Sequence, residues 1–365
     1  MSDVSANDVL DEGLSRLAAT GPEFRGGLSN HGPMAAEALV RLGRADAVEH
    51  WLDGYLKRLE AAPRPSDRVT DATWRDALGQ LNRVADWEAY LRAQLAEEPW
   101  RDVLARWWPR LLPGVAAAAT HGIIRTSHAA RSLASAGESG DAERRGELAR
   151  ALAYWAASYV ELPGGARPGG TLDAAAAIRA LPVLDDPEQG GLITERLKNG
   201  LPRLPGMSGA LAALRPPADA DTAHDLRDLA GEFARVFLGY GRAQPITFLH
   251  AVTAPVAAYS ALPLLPRQLA RPTYDALWQV GASLYAVHAG GVTPEPLPAA
   301  STTASPAASP AASPPAPGDL ADMAVATGDE HAIKLTEACL RLHAETPDPV
   351  FLHAAARASD LLGRG

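Results

Sequence analysis

Eight prolines fall within the 25 residues 293–317, "TPEPLPAASTTASPAASPAASPPAP", and this density limits what the chain can fold into. Proline, serine and alanine in such proportion form an extended, solvated tether that cannot join a packed core. The chain is therefore divided into a body, residues 1–292, a linker, 293–317, and a tail, 318–365. A tail of 48 residues is too short to bury a core of its own. It is expected to dock back and complete the same domain, so the body must leave a seat for it.

The body reads as helix throughout. "GPMAAEALVRLG" spaces apolar residues by three and four, with Asn30 available as a cap, Pro33 in the first turn and Gly43 as a stop. Val84 to Leu112 predicts one or two amphipathic helices carrying Trp87, Trp100, Trp107 and Trp108, whose simplest role is core packing. Pro113 and Gly114 are expected to restart a helix that runs through His121 and His128. Further helices are expected after Pro245 and Pro272, after Asp329 as a cap, and from Pro349 to Leu362. No period-2 strand stands between turn signals. The expectation is all-α, one large multi-helix domain.

Composition excludes several classes of function. With 365 residues, 47% of them hydrophobic, the chain can bury a large core. A net charge of −9 with dispersed acidic residues opposes a nucleic-acid or anionic-membrane partner. Cys339 is the sole cysteine, which rules out an intrachain disulfide or a cysteine-based zinc cluster. The first residues lack a signal-peptide pattern, and no run of about 18 apolar residues is apparent, so the expected location is the cytoplasm. GxGxxG, GxxxxGK[ST], GxSxG and HExxH are all missing.

The chemistry must then lie among the ten histidines. His121 and His128 stand seven apart in the apolar run "ATHGIIRTSHAARSLA", returning to one helix face about 10.5 Å apart along the axis. Imidazoles leaning toward each other from these positions can share a metal; each can equally be a buried ring bonded to a carbonyl. His31 ("SNHGPM") and His250 ("FLHAVT") have similar apolar settings. His331 and Lys334 lie three apart on one face in "EHAIKLTEAC". His50, His224, His343 and His353 have polar neighbours and are expected at the surface. His288 is left open, as a helix C-terminal cap or a substitute ligand.

Lys334, one of only three lysines, is expected to point inward. A buried ammonium tends to lose its proton. It would then serve as a neutral base or nucleophile, or react with CO₂ to become an anionic oxygen ligand. Alternatively its stem covers apolar surface, or it pairs with Glu337. Arg125, on the face of His121 and His128, is a candidate to hold an anionic or phenolate group, or an ion-pair partner.

The blocks "FRGGLSNHGPMAAEALVRLG", "WWPRLLPGVAAAATHGIIRTSHAARSL", "ITFLHAVTAPVA" and "HAIKLTEACLR" together resemble the questin oxidase-like family, over residues 20 to 345 apart from the linker. The resemblance implies oxidative ring opening of anthraquinone-type polyketides, by Baeyer–Villiger-like oxidation or oxygen-dependent C–C cleavage. It implies non-haem Fe(II) with O₂ as co-substrate. His31, His121, His128 and His250 are the implied ligands, with a carboxylated Lys334 and with His331 as the substitute should one of the four stand back. Two rivals stay open: an NADPH-dependent, flavin-free Baeyer–Villiger monooxygenase, and a non-catalytic helical protein that binds a hydrophobic ligand.

Overall fold

A helix that is apolar on every side has to be buried, and Pro245–Ala261 is such a helix. Every residue from Thr247 to Ala258 is buried in the computed structural model of the chain. The structure describes residues 5–136, 141–186, 190–218, 222–297 and 314–363, with Asp141 by backbone alone. Residues 298–313 of the expected linker lie outside the described residues.

The chain is predominantly helical and forms a single domain. It begins with α1 (Ala6–Leu17), α2 (Gly32–Arg41) and α3 (Val48–Tyr55), followed by α4 (Val84–Glu97), α5 (Trp100–Leu111), α6 (His121–Ala134) and α7 (Asp141–Ala157). Three short helices come next: α8 (Ala174–Arg179), α9 (Ile193–Gly200) and α10 (Met207–Ala212). The long α11 (Thr222–Tyr240), α12 (Pro245–Ala261) and α13 (Ala270–His288) complete the part before the proline-rich segment. Beyond it lie α14 (Pro317–Thr327), α15 (Glu330–Glu345) and α16 (Pro349–Leu362).

Helices α2, α6, α12 and α15 meet in a closed circuit, each packed against the next and the last against the first. Leu335, Ala338, Cys339 and Leu342 of α15 are buried in the main core. Ile333 joins a second cluster with Leu10, Leu14, Leu17, Leu39 and Leu52. The docked tail is also held by Arg44–Asp322 at 2.7 Å and by Trp51 Nε1, which donates to the Gly328 carbonyl at 2.9 Å. Asp329 caps α15, accepting from the backbone N–H groups of His331 and Ala332.

The tryptophans pack as core. Trp87, Trp107 and Trp108 are fully buried, and the Trp107 and Trp108 indole N–H groups reach Gln94 and Thr273.

Several expectations are corrected. A two-stranded hairpin, β1 (Glu23–Phe24) and β2 (Leu28–Ser29), stands where no strand is expected, within a fold that is otherwise helical as expected; two residues per strand are too few to show a period of two. No continuous helix runs from Pro113 through His128. Ala118, Ala119 and Thr120 have φ of 45°, 54° and 73°, and this left-handed turn starts α6 at His121. Of the one or two helices expected over Val84 to Leu112 there are two, Glu98 in extended backbone before Pro99 separating α4 from α5. Finally, Pro245–Leu264 is long and apolar enough to cross a membrane by length and composition, although 72% of that window is buried inside the fold.

Candidate metal centre

Each helix of the α2–α6–α12–α15 circuit delivers one imidazole to its centre. His31 is the N-terminal flanking residue of α2, His121 the first residue of α6, His250 lies in α12, and His331 is the second residue of α15. The rings follow the same circuit: His31–His121 at 4.5 Å between centroids, His121–His250 at 4.6 Å, His250–His331 at 5.8 Å and His331–His31 at 4.4 Å. Nε2 of His121 faces Nε2 of His250 at 3.2 Å. His31, His121 and His331 each offer a nitrogen within 4.8 Å of the other two. A cation bound to imidazole nitrogens at about 2.1 Å holds adjacent donors about 3–4 Å apart, so modest adjustment of these rings fits one ion.

The local backbone aims the rings. Asn30 Oδ1 accepts the Gly32 N–H, and the Tyr55 hydroxyl oxygen accepts the His31 N–H at 2.7 Å, fixing the start of α2. The left-handed turn at Ala118–Thr120 brings the Ala118 carbonyl to His121, whose Nδ1–H donates to it at 2.5 Å. That bond leaves Nε2 of His121 as a lone-pair donor toward the centre. Gly122 lets this end of α6 press on α7, since a Cβ there would lie 2.6 Å from Trp155. On the tail, His331 Nδ1 lies 3.4 Å from Asp329 Oδ1. His31 Nδ1 lies 3.8 Å from Glu330 Oε1.

Three of the rings are deeply buried and held neutral. Burial pushes the pKa of His31, His121 and His250 well below the ordinary histidine value, reinforced by Lys334 and by one another. Neutral imidazole is the form that binds a metal. Lys334 is fully buried, its Nζ has no hydrogen-bond partner, and burial pulls its pKa down to about 8. Lys334 follows His331 by three residues on α15, one turn along the same face. The buried, unpartnered Nζ of Lys334 is what a group that completes the centre would engage.

Other candidates are placed elsewhere. His128 does not join the four rings: its Nδ1 bonds Glu37 Oε2 at 2.9 Å, and Glu37 is also clasped by Arg131 and Arg41. With α6 starting at His121, that residue stands at the four-helix junction, while two turns later the helix has moved past it onto α2. Arg125 is likewise committed, giving Nε and Nη2 to Glu147 at 2.6 and 3.0 Å deep in the fold. Glu337 pairs with Arg131 and Arg341 rather than with Lys334. His288 is buried at the end of α13, donating from Nδ1 to the Leu284 carbonyl, and burial drives its pKa to about 4, so it is no charged cap.

His50 and His224 are exposed, while His343 and His353 are half-buried. Residues that the sequence patterns did not flag are Tyr55, Arg58 and Glu330. Arg58 grips Glu330 through both oxygens at 3.1 and 3.2 Å. An acidic residue directly before His331 is the only signal that pointed there. No known family model and no curated protein matches the chain.

Proposed function

We propose that the chain is a non-haem iron oxygenase that opens a ring of a quinone or aromatic polyketide, by oxidative C–C cleavage or Baeyer–Villiger-like oxidation. The observation that carries the metal reading is the closed circuit of four imidazoles from four separate helices, three of them buried and His331 nearly so, with the unpartnered Lys334 amine one turn beyond His331 on α15. The substrate class follows from the questin oxidase-like resemblance. In this reading His31, His121, His250 and His331 hold the ion, and His128 supports α2 against α6.

Imidazole suits iron. When bound, iron supplies the site at which O₂ becomes reactive. The chain's own residues bury the site, hold the His31, His121 and His250 rings neutral and orient their nitrogens. Lys334, with its pKa near 8, is largely uncharged in mildly alkaline solution. Its Nζ lone pair can add to the carbon of CO₂, with loss of a proton from nitrogen, to give an anionic oxygen donor. The positive N-terminal ends of α2, α6 and α15 at the centre favour such an anion or an enolate substrate.

The test is iron content after anaerobic loading, followed by oxygen uptake with anthraquinone-type phenols, with and without NADPH. About one equivalent of iron and NADPH-independent uptake are expected, and Lys334→Arg is expected to abolish the uptake. Protein that takes up no divalent cation would refute the reading in favour of a structural histidine cluster. Uptake that requires NADPH would favour the monooxygenase alternative.

A further inference from the structure

We propose that Glu330, held in place by Arg58, is a positioning residue that aims the His31 imidazole at the four-helix centre by accepting its Nδ1–H. The inference rests on the metal reading above and goes beyond it, to a residue that is no ligand.

The Glu330 carboxylate is buried, and its Oε1 is the acidic oxygen that faces His31 Nδ1, at 3.8 Å. His31 Nδ1 is itself buried and makes no hydrogen bond. An ionised carboxylate has about four lone-pair sites, and the Arg58 fork uses two of them. The remaining capacity on Oε1 is open to an imidazole N–H after a shift of about 1 Å, to ordinary hydrogen-bond length. That bond would fix the tautomer with Nδ1 protonated and leave Nε2, on the opposite edge of the ring, as the donor.

Arg58 is immobilised for this task. Its guanidinium lies over the rings of Phe24 and Tyr55, at 5.2 and 4.9 Å from their centroids. Tyr55 in turn holds the His31 backbone N–H. One stack of residues from the body thus sets both the backbone and the ring of His31, with Glu330 reaching in from the docked tail. An alternative role for Glu330 is mechanical, an acidic helix start paired with Arg58 that only fastens α15. The two roles differ in one respect: only the positioning role acts through His31.

A double-mutant cycle separates them. Zn(II), which binds nitrogen sites more tightly than Fe(II), is titrated by chelator competition into the full-length wild type, Glu330→Ala, His31→Ala and the double variant. Circular dichroism monitors the fold. Loss of such a partner typically costs about 10–100-fold in metal affinity, and that loss is expected for Glu330→Ala in the wild-type background. In the His31→Ala background it should shrink to less than about twofold. An equal loss in both backgrounds, or none in the wild type, overturns the proposal.

Should alanine at 330 unfold the protein, Glu330→Gln carries the test. Its amide oxygen still accepts but bears no charge, so weaker Zn(II) binding and shifted Co(II) absorption bands are expected. Affinity and spectrum identical to wild type overturn the proposal. Wild-type protein that binds no divalent cation sinks the metal reading, and this inference with it, before any variant is compared.

Discussion

His121 and His250, 129 residues apart in sequence, face each other Nε2 to Nε2 at 3.2 Å in the interior. Two neutral rings in that posture set one N–H against one lone pair, or two lone pairs against a shared ion. The Ala118 carbonyl takes the Nδ1–H of His121 and so presents its Nε2 lone pair, to the His250 N–H in the first arrangement and to the ion in the second. Replacing either His121 or His250 with alanine is expected to abolish stoichiometric iron binding and leave the helical circular dichroism largely intact. Retention of one equivalent of iron by both variants would contradict the assignment.

His128 is expected to behave oppositely. It shares Glu37 with Arg131 and Arg41, inside a network that continues to Glu337 and Arg341. Removing its hydrogen bond leaves part of a buried carboxylate unsatisfied, at a cost of about 1–3 kcal/mol. His128→Phe should therefore lower the denaturation midpoint while keeping the full metal content. Metal analysis beside a urea melt distinguishes the two effects, and metal loss without destabilisation would return His128 to the ligand set.

The turn before α6 stores strain. Left-handed backbone costs a residue other than glycine roughly 1–2 kcal/mol, and Ala118, Ala119 and Thr120 occupy it consecutively. Ala119→Gly should stabilise the protein by up to about 1 kcal/mol, because glycine takes this φ without steric cost. Ala119→Val should destabilise it and, by shifting His121, loosen metal binding. Denaturant melts of the apo-protein and metal titrations check both outcomes; valine without effect on either would remove the link between this turn and the centre.

His288 makes stability depend on acid. Burial holds it at about 4 in the fold, against an ordinary value of 6.5. Between these values the unfolded chain binds a proton that the folded chain does not, so stability rises with pH across the window. The contribution is complete above about pH 6.5 and is lost as pH falls toward 4, by up to about 3 kcal/mol. His288→Leu should flatten this part of the stability–pH curve relative to wild type. Parallel curves for the two proteins would show that the residue is not buried neutral.

Local punctuation made much of the helical framework legible. Pro245 opens α12, Asp329 caps α15, and Pro349 begins α16, because caps and proline act on the backbone within a turn of their own position. The left-handed turn at 118–120 was not legible, since alanine and threonine carry no mark of a conformation imposed by the surrounding packing. The apolar settings of His31, His121 and His250, and the inward face of Lys334, were visible as composition, because buried positions exclude charged neighbours.

The sequence by itself determined a predominantly helical single domain with histidines set into apolar helices. Periodicity and capping are local properties, so they need nothing beyond a few adjacent residues. Only the tertiary structure decided which histidines meet. The seven-residue spacing of His121 and His128 suggested one pair, yet the α2–α6–α12–α15 circuit gathers His121 with His31, His250 and His331 and hands His128 to Glu37. Spacing along a helix fixes the direction of a side chain relative to its own axis. What lies in that direction is set by neighbours as many as 300 residues away along the chain, such as His331 beside His31.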